Sequence, residues 1–256
     1  MNVLILTILV LTIIFIVGWL ASIKIQNASI VDAMWALSLG IPVFIYISSH
    51  DGSSLRKTIL MGMALIWSFR LGIHLSKRIY AHHPEEDSRY KVLREQWEEK
   101  SNRNFLIIFL VNAVLVFSLS LPFYFSSQFN GPLQPLEWIG IIVFCVGFIG
   151  ESIADHQLAE FRKLSGSGKI CELGLWNYSR HPNYFFEAVI WVGIYLFCAA
   201  SPNGIYTFHA PVIMIFLLTK VTGIPPTERS LLKSRGDAYK EYQQTTSAFI
   251  PWFKNK

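Results

Sequence analysis

The sequence predicts an all-α bundle of about seven transmembrane helices, read as one membrane domain over residues 1–256. Three observations predict it. Apolar runs of about twenty residues recur along the chain, and each is long enough to cross roughly 30 Å of hydrocarbon. Of the 256 residues, 52% are hydrophobic and only 15% charged, with a mean hydropathy of +0.40, whereas soluble domains average about 25% charged residues. The basic residues, finally, divide between alternate loops as the positive-inside rule requires.

The first span covers residues 3–23. It lacks a basic leading segment and further spans follow, so it reads as a transmembrane helix and not as a cleaved leader. The second begins near Asp32 and continues to about residue 48. A carboxylate at the head of a span is costly unless it caps the helix or meets a partner or cavity. The third span, residues 59–75, carries Arg70 and His74 one turn apart on one face. Lipid does not tolerate an arginine at that depth, so both are expected to face inward, and an ion pair between Arg70 and Asp32 is the simplest structural account. Residues 77–103 are strongly polar. His82 and His83 resemble a metal pair, but the acidic run Glu85, Glu86 and Asp87 reads as the start of a solvated helix, and no metal is expected.

The fourth span, residues 105–125, leads to a loop without a charge, and the fifth, residues 136–150, runs on into Glu151. If that helix continues, Glu151, Asp155, Leu158 and Arg162 form one stripe. Ser165 to Gly168 is a flexible turn without the spacing of a dinucleotide fingerprint. The sixth span starts at Pro182, which suits a first helical position, so Tyr178, Arg180, His181, Asn183, Tyr184 and Glu187 gather at a helix mouth that favours an anion. A basic, aromatic anchor at the membrane interface is the plainer account of the same residues. The seventh span, residues 210–221, stops at Gly223, and a basic tail with Glu228, Arg229, Tyr239 and Tyr242 follows.

With the N-terminus outside, eighteen Lys and Arg fall on the inner side and only Arg56 and Lys57 outside, which places the C-terminus in the cytosol. The net charge of +5 therefore marks inner loops; no RNA-binding signature is present and no nucleic-acid partner is expected. Cys145 and Cys198 lie in apolar runs and Cys171 in a polar loop, without the spacing of a disulfide framework or a zinc site. The polar groups at 151–162, 177–187 and 228–242 all fall on the inner side, as a pocket for a cytosolic cofactor requires.

Residues 151–252 resemble the C-terminal half of the steroid 5-alpha-reductase family and the related sterol reductases and isoprenylcysteine carboxyl methyltransferases. The resemblance rests on Glu151, Asp155, Arg162 and Lys163; on Gly174, Leu175 and Trp176 before Asn183, Tyr184, Glu187, Trp191 and Gly193; and on Tyr239, Glu241 and Tyr242 before Ile250, Pro251 and Trp252. It implies an NADPH-dependent reductase of a carbon–carbon double bond conjugated to a carbonyl in a lipid-soluble, steroid- or isoprenoid-like substrate. Residues 1–150 would then face the substrate and 151–256 hold the cofactor. Arg162, Arg180 and Arg229 would pair with phosphates, Asp155, Asn183, Tyr184 and Glu187 would hold ribose and nicotinamide, and Tyr178, His181, Glu228, Tyr239 and Tyr242 would complete the enclosure. Asp32, the counterpart of an acid that contacts the substrate carbonyl, or His74 would supply the catalytic proton. The tyrosine partner that the steroid reductases place in the third span is not evident, since this chain reads Trp67, Ser68, Phe69 and Arg70 there. Arg180-His181-Pro182 also suits the methyltransferases, so an S-adenosylmethionine-dependent lipid or prenyl-cysteine methyltransferase is the second expectation, and a non-enzymatic membrane scaffold the third. The expected setting is a bacterial inner membrane or the endoplasmic reticulum, with membrane lipid as neighbour.

Overall fold

The computed structural model describes residues 2–166 and 168–254, His82 by its backbone alone. Ser167 of the expected flexible turn and the His82 side chain of the expected metal pair lie outside the described residues. Among those residues there is helix and no strand. The helices are α1 (Val3–Ile25), α2 (Ile30–Ser38), α3 (Gly40–Ser49), α4 (Ser54–His82), α5 (Ser88–Trp97), α6 (Ser101–Ser127), α7 (Pro135–Ser165), α8 (Pro182–Ala199), α9 (His209–Phe216) and α10 (Ile224–Thr245). Among the described residues, seven segments are long and apolar enough to cross a membrane, with α2 and α3 forming one of them. The chain is an integral membrane protein. It divides into two compact units, the first ending at Leu133 and the second beginning at Gln134, before α7.

Unit 1 is built on α1 and α6. Nearly every residue of α1 is apolar, yet only Thr7, Leu11, Phe15, Gly18 and Ser22 are buried. Steps of three and four put them on one stripe. Asn2 caps the helix by accepting from the Leu4 N–H at 2.9 Å. At Gly18 the Met34 side chain of α2 fills the space a Cβ would take, its Cε 2.1 Å from that position. The helix α4 runs 29 residues, about 43 Å at 1.5 Å per residue, and therefore outruns the hydrocarbon. Arg56, expected in an outer loop, is wholly buried. Its guanidinium donates to the carbonyls of Phe129 (2.6 Å), Gly131 (3.2 Å) and Pro132 (3.0 Å) and lies 4.4 Å from the Phe129 ring centroid. One buried cation thus satisfies the carbonyls of the uncharged loop after α6, which has no side-chain charge of its own.

In unit 2, α7 and α8 meet backbone to backbone. A Cβ at Gly140 would come within 2.5 Å of Phe197 N, at Gly147 within 2.7 Å of Ile190 N, and at Gly193 within 2.4 Å of Phe144 N. Small residues serve this way in lipid, where close packing takes over from the hydrophobic drive. The predicted continuation of the fifth span is present, because α7 stays helical to Ser165 and carries Glu151, Asp155, Leu158 and Arg162 on one stripe. The basic tail is α10. It starts at the expected Gly223-Ile-Pro-Pro stop, the prolines occupying its first turn. Gly236 (φ 56°, ψ −130°) breaks it into two arms, a conformation that a side chain would strain. In a straight helix Glu228 and Gln243 would be about 22 Å apart, whereas here Gln243 Nε2 donates to Glu228 Oε2 at 2.7 Å.

Candidate functional site

The turn before α8 is fixed from both sides. Ser179 Oγ accepts from the His181 N–H at 3.1 Å and donates to Phe249 O at 2.9 Å, and Pro182 opens the helix. Arg180 points back to α10. Its Nε donates to Glu228 Oε1 at 2.8 Å, its Nη1 to Gln243 O at 2.9 Å and to Thr246 O, and its N–H to Ser247 O at 2.8 Å. The guanidinium therefore serves carbonyls that the end of α10 leaves without intrahelical donors.

Glu228 is the hub of this cluster. Besides Arg180 and Gln243 it meets His181 Nε2 at 3.1 Å and Tyr239 OH at 3.4 Å. A carboxylate can only accept, so His181 carries its hydrogen on Nε2. Burial pushes the His181 imidazole below its ordinary value, and the neighbouring Glu228, which favours the protonated ring, does not reverse this. The ring stacks on Tyr184, centroids 5.3 Å apart and planes 6° from parallel, and Tyr184 OH lies 3.2 Å from Thr227 Oγ1. With a neutral imidazole, one guanidinium and one carboxylate, the cluster carries no net formal charge.

A second group lies on the α7–α8 seam. Asn183 Nδ2 donates to Asp155 Oδ1 at 3.3 Å, while Asn183 Oδ1 is buried without a hydrogen-bond partner. Glu151 and Glu187 are 5% and 4% exposed, and Trp191 Nε1 donates to Glu187 Oε1 at 3.1 Å. The other expected residues are placed differently. Arg162 and Arg229 are exposed, and Arg229 Nε reaches Pro225 O at 3.3 Å. Tyr178 is 40% exposed, edge-on to Phe253, and its carbonyl accepts from Trp252 N–H at 2.8 Å. Tyr242 is buried and donates to Trp176 O and Ser179 O, fixing the second arm of α10 to the turn before α8. The structure thus unites Arg180, His181, Tyr184, Glu228 and Tyr239 in one cluster and Asp155 with Asn183 in another.

In unit 1, Asp32 lies in the first turn of α2, where Ser29 and not Asp32 holds the cap position. Its partner is Arg89, not Arg70: Arg89 Nη2 donates to Asp32 Oδ2 at 2.6 Å, and Tyr90 OH donates to Asp32 Oδ1 at 2.7 Å. Asp32 is accordingly an acceptor of two charge-assisted bonds. Asp87 caps α5 as the acidic run predicts, accepting from the Arg89 N–H at 3.0 Å and pairing with Arg78 at 2.5 Å. Burial opposes its ionisation, but the bonds and charges of Arg89 and Arg78 prevail and hold its carboxyl at about 2. His74 is exposed, contrary to the expectation that it faces inward with Arg70. The length of α4 is the reason, since it carries His74 to within a turn of the polar end at Lys77 and Arg78. Tyr90, which the sequence did not single out, lies three residues after the Asp87 cap, in the first turn of α5.

The chain belongs to the family described as "Protein of unknown function (DUF1295)", which matches residues 18–246. It is also similar to an uncharacterized protein of Schizosaccharomyces pombe, 23% identical over 269 residues that cover 93% of this chain and 77% of the relative. No solved structure matches the chain at a significant level.

Proposed function

We propose that the protein is a membrane-embedded, NADPH-dependent reductase of a carbon–carbon double bond conjugated to a carbonyl in a lipid-soluble substrate, with its cofactor residues on the cytosolic side. The observation that carries this reading is the orphaned Asn183 Oδ1, buried beside Asp155 on α7 and α8. A buried acceptor without a donor costs about 1–3 kcal/mol. A ribose hydroxyl or a carboxamide N–H would satisfy it, and Asp155 would accept a second such hydrogen. These residue types fit the ribose and nicotinamide part of the cofactor. Arg180 would face a phosphate, as the resemblance to the steroid reductases implies. NADPH would supply the hydride, and the protein must then provide a proton for the developing enolate.

A second reading, methyl transfer from S-adenosylmethionine to a lipid or prenylated thiol-acid, is favoured by one observation. The Arg180–Glu228 pair offers one cation and one anion side by side, which suits the carboxylate and ammonium of that ligand's amino-acid end. The test is isotopic. Purified protein is incubated with lipid extract and either NADPH deuterated at the reactive ring carbon or S-adenosylmethionine with a labelled methyl group. Deuterium entering a reduced enone lipid supports the reductase; label arriving as methyl instead overturns it.

A further inference from the structure

Glu228 fills an anion-binding corner that the chain builds from Arg180 and His181. Arg180 and His181 side chains are 9% and 3% exposed, and the Glu228 carboxylate at 15% sits between them at 2.8 and 3.1 Å. The corner lies beside the first turn of α8, the end of a helix dipole that favours an anion. A phosphate arriving there would meet a carboxylate within hydrogen-bond range, a repulsion of like charges in a site with little water to screen it.

We propose that Glu228 is a built-in competitor for the ligand's phosphate: its carboxylate holds the Arg180–His181 corner until the phosphate displaces it, and displacement loosens α10. This rests on the reading that Arg180 meets a cofactor phosphate. Two features of the chain permit the exchange. The arm that carries Glu228 is bounded by non-helical residues, Gly223 (φ −92°, ψ −94°) and Gly236 (φ 56°, ψ −130°), so it can pivot as a short rigid piece. Arg180 Nη1 also holds Gln243 O and Thr246 O, so turning the guanidinium toward a ligand releases the second arm at its last turn. Ligand occupancy and the packing of α10 are thereby linked through one side chain.

Glu228→Gln keeps the shape and most of the hydrogen bonds while removing the competing charge. Affinities of the wild type and the variant are measured by titration calorimetry with two probes, NADPH and inorganic pyrophosphate. Hydrogen–deuterium exchange over residues 237–247 is followed alongside. About tenfold tighter binding of both probes to Glu228→Gln is expected, equivalent to about 1.4 kcal/mol. Exchange in this segment should rise on ligand addition in both proteins, and in the variant at a lower ligand concentration. Gln243→Met removes one partner of Glu228 and leaves Arg180 intact; it should shift affinity in the same direction by less, and it serves if Glu228→Gln does not fold. Tighter pyrophosphate binding by the variant with no NADPH binding by either protein would uphold the competitor and overturn the NADPH reading. NADPH binding by the wild type with equal or weaker binding of both probes by the variant would overturn the competitor and leave the cofactor reading standing. Binding of neither probe by either protein would overturn both.

Discussion

Tyr90 donates its hydroxyl hydrogen to Asp32 across 2.7 Å, and Arg89 holds the other carboxylate oxygen at 2.6 Å. This joins the first turn of α2 to the first turn of α5. Removing the hydroxyl by Tyr90→Phe leaves the Arg89–Asp32 pair in place, so it should cost only about 1 kcal/mol of stability. The unfolding midpoint in detergent measures this loss, and a fall as large as that expected for breaking a buried ion pair would contradict it.

Arg56 makes a different kind of prediction, since it concerns stability alone. Arg56→Met preserves most of the packed volume but removes the guanidinium donor from the Phe129, Gly131 and Pro132 carbonyls, of which Phe129 O keeps the Ser53 N–H at 3.3 Å. The loss should be about 3 kcal/mol or more. It is read as a fall in the unfolding midpoint in detergent, with no change in ligand affinity.

The glycine seam between α7 and α8 can be tested by contrast. Gly193→Val drives side-chain atoms into the Phe144 backbone, 2.4 Å from the ideal Cβ position, and should cost about 1–3 kcal/mol or prevent folding. Gly62→Ala on α4 meets nothing within 4 Å and should be neutral or slightly stabilising through helix propensity. Equal midpoints for the two variants would contradict close packing at the seam.

His181 and Asp87 set the response to acid. Because the folded His181 binds its proton less readily than the unfolded ring, whose ordinary value is 6.5, the unfolded state takes up more protons as pH falls through and below that value. Stability should therefore decline on acidification from about pH 7, and His181→Gln should flatten that limb. Asp87 contributes lower down. Its carboxyl is depressed from 3.8 to about 2, so its stabilisation is complete above 3.8 and lost as pH falls toward 2. Unfolding midpoints recorded against pH for wild type, His181→Gln and Asp87→Asn separate the two limbs.

The spans were legible because twenty-residue apolar runs have no other use in water or lipid, and Pro182, Asp87 and the Gly223-Ile-Pro-Pro stop mark helix ends by backbone chemistry alone. The stripe from Glu151 to Arg162 could be read because a helical period needs no tertiary information. What could not be read was who meets whom. Asp32 looked equally able to pair with Arg70, and only the placement of α5 in unit 1 gives it to Arg89 and Tyr90. Arg180 looked free for a phosphate because the segment after Gly223 read as a tail. As a two-armed helix broken at Gly236, that segment brings Glu228 and two carbonyls to the guanidinium. His74 looked inward-facing because the span was drawn at hydrocarbon length, and α4 is about 13 Å longer than that.

The most direct test of the account is whether the folded protein binds NADPH through the Asn183 site. Thermal unfolding of the detergent-solubilised protein is measured with NADPH, NADH and S-adenosylmethionine added separately, for the wild type and for Asn183→Ala. A ligand that binds only the folded state raises the midpoint. The account predicts a rise with NADPH that Asn183→Ala abolishes; a rise with S-adenosylmethionine alone, or with no ligand at all, would contradict it.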